Sequence, residues 1–116
     1  MHAARAVPQF VQTPRMSSPL DVFRRDVLAG HVVLVTGGGT GICRGIAYAY
    51  ARFGADVAIV SRKQDVIEKT AGELTSETGR PVLGLSADVR DPEAIARAIR
   101  ATADKFGKLD TLVNGA

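Results

Sequence analysis

The 116-residue chain is 46% hydrophobic, enough for one small globular domain, and carries a net charge of +3. The basic excess is mild and spread out, with no cluster of aromatic and basic residues to mark a nucleic-acid surface, and it suits anionic small molecules equally well. The single cysteine excludes an internal disulfide and a cysteine-rich zinc site, His2 and His31 lack metal-ligand spacing, and no apolar run approaches the roughly 20 residues that span a bilayer. The expectation is a soluble protein without metal, membrane or nucleic acid.

Residues 1–20, MHAARAVPQFVQTPRMSSPL, contain Arg5 and Arg15, no acid, and three of the five prolines. They read as a disordered extension ahead of a domain over 21–116. An organelle transit peptide is the alternative, although the prolines weaken an amphipathic helix there. Met16 as the true start is a further alternative.

From residue 31 two periods alternate. HVVLVTG (31–37) is a short apolar run, read as a buried strand. Ile42, Ile46, Ala49, Tyr50 and Phe53 then recur on one helical face, with Gly54 at the C-terminal stop. DVAIV (56–60) is a second strand. The spacing predicts a helix over 64–78 with Val66, Ile67, Thr70 and Leu74 inward, closed by Gly79 and Pro81. VLGLSA (82–87) is a third strand. Asp91 then caps a third helix with Pro92 at its first position and Ile95, Ile99, Thr102 and Phe106 on one face. DTLVN (110–114) is a fourth strand. Strands alternating with helices imply an α/β fold, a Rossmann-like doubly wound parallel sheet of which this chain is the N-terminal βαβαβαβ half. Such a sheet places its ligand at the carboxyl ends of the strands, where strand order reverses. The polar features cluster at those ends: residues 36–41, 61–63, 88–89 and 114–116.

Four glycines fall within 37–41, directly after the first strand. No glycine has the P-loop spacing, and G-x-G-x-x-G fails because Gly37 and Gly39 are followed by Ile42. T-G-x-x-x-G fits, through Thr36, Gly37 and Gly41. Glycines let the backbone approach a pyrophosphate while the next helix offers unpaired N–H groups and a positive dipole end. A turn serving only tight packing is the plainer reading.

TGGGTGI after the first strand, DV after the third and LVN on the fourth resemble the short-chain dehydrogenase/reductase family. Within it, DVFRRDVLAGHVVLVTGGGTGI, SRK and DVRDP are similar to the 2,4-dienoyl-CoA reductases, particularly their peroxisomal branch. The resemblance covers about residues 20–116. It implies a phosphate-binding turn at Gly37, Gly38, Gly39, Thr40 and Gly41, with Ile42 opening the helix beneath it. It implies that Asp88 meets the adenine with Val89 beside it, and that Asn114 stands near the cofactor and steadies the central sheet. It further implies an acyl-CoA substrate, a homo-oligomer when full length, and a peroxisomal address, with mitochondria or cytoplasm left open. Related ketoacyl and carbonyl reductases share much of the pattern, and an inactive truncated nucleotide-binding module is the reading from another class.

At the second strand end, where an NAD-specific fold places an acid for the ribose 2′-hydroxyl, the chain reads Ser61, Arg62, Lys63, with no acid before Asp65. A guanidinium suits a 2′-phosphate and a carboxylate repels it, so NADPH is expected as cofactor. Two solvated basic residues opening a helix are the plainer reading.

Two positions depart from the family pattern. Cys43 stands for the third glycine, where its added Cβ and sulfur are expected to bring strain or weaker cofactor binding, at about 1–3 kcal/mol if the site is tightly packed. Gly115 stands for the second asparagine of N-N-A-G. No catalytic residue is expected in this chain: its two tyrosines, Tyr48 and Tyr50, fall in the first helix without the family's following lysine, and Cys43 has no histidine nearby. The family's serine, tyrosine and lysine are expected beyond Ala116, and this chain alone is expected to turn over no substrate.

Overall fold

The computed structural model describes residues 23–115, so the expectations for residues 1–20 lie outside the described part. Seven elements follow in strict alternation: β1 (Val32–Thr36), α1 (Gly41–Arg52), β2 (Asp56–Ser61), α2 (Gln64–Thr78), β3 (Val82–Ser86), α3 (Pro92–Phe106) and β4 (Thr111–Asn114). The strands form one sheet in the order β3-β2-β1-β4, every pairing parallel. The register sets Val35 beside Ile59 on one side and Val113 on the other. Strand order therefore reverses between β1 and β4, as a doubly wound half-sheet requires.

β1 is buried at all five positions, which explains its unbroken apolar run. Its odd-numbered side chains, Val33 and Val35, join Val57 and Ile59 against α1 and α2. Its even-numbered Leu34 joins Ala58 and Val60 against Ala98 and the half-buried Ile95, Ile99 and Phe106 of α3. Leu34, Ile59, Ile67 and Leu74 are among the largest fully buried side chains, each contributing about 1.5–3 kcal/mol by leaving water. Cysteine-free local signals end the second and third helices: Gly79 (φ 75) and Gly107 (φ 88) take the left-handed conformation that a side chain resists.

One expectation needs correcting. Ile42 does not face the core; it is 83% exposed, and Ile46, Ala49 and Tyr50 are only half-buried. The seam of α1 that meets the sheet runs through Ala47 and Ala51, with Cys43 packed beside them. Small side chains let this helix approach the strands closely, so the larger apolar stripe is rotated toward its flank.

Candidate functional site

The carboxyl ends of the strands converge, as the topology demands. Gly37 leaves β1 with φ 71, and its N–H donates to Val60 O at 2.8 Å. Gly38 is buried tightly enough that a Cβ there would stand 2.7 Å from Ile59 Cβ. The Gly39 carbonyl accepts from the buried Thr70 hydroxyl at 2.8 Å, which fastens the turn to α2. Thr40 is the N-cap residue of α1 but makes no side-chain capping bond, and the first turn of α1 carries no acid. Gly41 has φ 65, and nothing lies within 4 Å of where its Cβ would be. The turn is thus packed on its inner side and open on its outer side, with the positive end of α1 exposed above it.

Beside the turn lies a cavity of about 380 Å³ lined by Gly37, Val60, Ser61, Arg62, Ala87, Asp88, Val89 and Arg90. Five of the residues expected from the sequence meet there: Gly37, Ser61, Arg62, Asp88 and Val89. Gly38 lies buried behind it. Gly39, Thr40 and Gly41 line a separate depression with Arg44, Lys69 and Glu73. Ile42 points to solvent, Lys63 is the exposed N-cap residue of α2, and Asn114 sits at the end of β4.

Arg90 is the cavity residue that sequence reasoning missed. Its guanidinium grips Asp88 through Nε to Oδ1 at 3.1 Å and Nη2 to Oδ2 at 2.9 Å, and its backbone N–H donates to Oδ1 at 2.9 Å. The Arg90 side chain, seconded by its backbone N–H, lowers the Asp88 carboxyl from 3.8 to about 2. The signal was present in DVR, an aspartate two residues before an arginine in a strand-to-helix loop.

Thr36, the first residue of the T-G-x-x-x-G pattern, has a structural role of its own. Its hydroxyl is 3.2 Å from Asn114 Oδ1 and 3.3 Å from Val113 O, and it accepts from Gly115 N–H at 3.1 Å. This 4% exposed side chain ties the end of β1 to the end of β4 and holds Asn114 at the crevice. The tyrosines pack as expected: Tyr48 accepts from Arg52 Nη1 at 3.2 Å, and Tyr50 stacks on His31. Among the described residues no three metal-ligating side chains gather, and no helix is long and apolar enough to cross a membrane.

The sequence profile of the short chain dehydrogenases matches residues 31–116, nearly the whole of this architecture. The chain belongs to this family. It is 40% identical over 111 residues to the peroxisomal 2,4-dienoyl-CoA reductase of Danio rerio, covering 95% of this chain and 37% of that protein. Among solved structures it is similar to L-sorbose reductase from Gluconobacter frateurii, complexed with NADPH and L-sorbose (32% identity, TM-score 0.75, 80% of this chain and 35% of that one). It is also similar to a 3-ketoacyl-(acyl-carrier-protein) reductase from Brucella melitensis complexed with NADH (39% identity, TM-score 0.67, 73% and 33%). The chain thus spans about a third of the length of the relatives it matches.

Proposed function

We propose that this chain is the N-terminal, cofactor-binding part of an NADPH-dependent oxidoreductase that reduces a 2,4-dienoyl-CoA, an auxiliary step in degrading unsaturated fatty acids. The observation that carries the cofactor choice is the end of β2, where Ser61 and Arg62 line the cavity and no carboxylate stands beside them on that strand end; the cavity's carboxylate, Asp88, belongs to the loop after β3 and is held by Arg90. A 2′-phosphate there meets a guanidinium and a hydroxyl, with Lys63 next along the chain. The pyrophosphate suits the open turn at Thr40 and Gly41, where the α1 dipole favours negative charge. Asp88, with Val89 beside it, would meet the adenine, and Asn114 would stand near the cofactor at the end of β4. Bound NADPH supplies the hydride. The residues of this chain would hold and orient it, and none of them is assigned a proton transfer.

The acyl-CoA substrate and the peroxisomal compartment are supported by similarity to the peroxisomal 2,4-dienoyl-CoA reductases, and a homo-oligomeric assembly of the whole protein is proposed on the family resemblance alone. A 3-ketoacyl reductase is the second reading, favoured by the 39% identity to the Brucella enzyme. Titrating the protein with NADPH and NADH tests the cofactor choice. NADPH should bind about tenfold or more tightly, and Arg62→Asp should abolish that preference. Equal affinities in the parent protein would refute it. Activity of the whole protein, rather than of this stretch, with a 2,4-dienoyl-CoA against a 3-ketoacyl-CoA then separates the two substrate readings.

A further inference from the structure

The two departures from the family pattern touch each other. Cys43 lies in the first turn of α1 and Gly115 just past β4, far apart in sequence, yet a Cβ built on Gly115 would fall on the Cys43 sulfur. The same Cβ would stand 3.1 Å from the Thr36 carbonyl oxygen, so little room exists on the other side. Cys43 is half-buried and packs against the core cluster of β1, β2 and α2. Its thiol has a single rotor, and one of the three staggered wells is disfavoured within a helix.

We infer that Cys43 and Gly115 form one steric unit, in which the sulfur fills the space that a side chain at 115 would otherwise take. Position 43 thereby decides what position 115 accepts. The cysteine causes little strain because the strand end opposite it carries no side chain. Gly115 is also held by its N–H to Thr36 Oγ1 at 3.1 Å, and that hydroxyl borders Asn114. Crowding at 115 therefore displaces Thr36 and Asn114 together, at the crevice where strand order reverses. The pair is a positioning device for the floor of the site, and neither residue is assigned a chemical step.

An exchange experiment in the protein tests it. Gly115→Asn places a side chain in that space and should lower the melting temperature and weaken NADPH binding about tenfold or more. Adding Cys43→Gly to that variant should recover most of both losses, although Cys43→Gly alone gains nothing in either readout. If Gly115→Asn does not fold, Gly115→Ala with and without Cys43→Gly gives the same comparison by melting alone. Recovery specific to the double variant supports the unit. A Gly115→Asn or Gly115→Ala protein that behaves like the parent overturns it, as does a double variant no better than the single. Only the affinity arm rests on the proposed cofactor; the melting arm stands without it, so the two readings fail separately.

Discussion

α1 and α3 begin at the same edge of the sheet, on opposite faces, and they begin differently. At α3, Asp91 accepts from Glu93 N–H at 3.0 Å and Ala94 N–H at 3.4 Å, Pro92 removes one donor, and Glu93 adds negative charge to the first turn. At α1, the cap residue bonds nothing through its side chain, no acid is present, and glycines flank the entry. The α3 start is closed by its own side chains, while the α1 start keeps its N–H groups and dipole available to an anion. A fold that caps one helix and leaves the next uncapped separates stability from binding.

The largest expected effect comes from filling the turn on its packed side. Gly38→Ala puts a methyl group 2.7 Å from Ile59 Cβ and should cost about 1–3 kcal/mol, read as a lower urea midpoint. Gly45→Ala, inside α1 with nothing within 4 Å, should instead stabilise by about 0.5–1 kcal/mol. Equal effects from the two would show that the turn is not close-packed.

Closing the α1 start sharpens the contrast further. Thr40→Asp supplies the missing cap and a favourable charge, so the protein should melt higher, by about 1 kcal/mol of stability. The same carboxylate faces the place proposed for the pyrophosphate, so NADPH should bind about tenfold or more weakly. Stability and affinity moving in the same direction would break the argument. Opening the α3 start is the converse: Asp91→Ala should lower stability by about 1 kcal/mol in the same denaturation assay.

The contrast also separates what sequence reveals from what it hides. α2 runs over the residues that spacing predicts and α3 starts where it is predicted to start, because Gly79, Asp91 and Pro92 are local signals whose physics needs no partner. The inward face of α1 was misread because apolar bulk was counted, whereas the sheet is met by Ala47 and Ala51, chosen for closeness. The convergence of Gly37, Ser61, Arg62, Asp88 and Val89 on one cavity was legible because they fall at strand ends, and topology brings strand ends together. Arg90 depended on how the loop after β3 turns, and the meeting of Cys43 with Gly115 depended on the β1–β4 pairing. The tripeptide DVR hints at the first, whereas the second is written in no short window.

The smallest effect concerns that loop. Arg90 binds both oxygens of Asp88 and lowers its carboxyl to about 2, from an ordinary 3.8. A depressed folded-state value contributes stability that is fully present above the unfolded value and fades as pH falls through the folded one. The window is therefore about pH 4 down to about pH 2, and the pair is exposed enough that the contribution is small. Arg90→Gln should move the Asp88 midpoint upward toward 3.8, followed by the carboxyl carbon signal during acid titration. At neutral pH Asp88 stays ionised in both proteins, so any loss of nucleotide affinity there reports lost orientation of the carboxylate rather than lost charge. An unmoved midpoint would show that the arginine does not set this carboxylate, and the loop after β3 would then be no better organised than the uncapped start of α1.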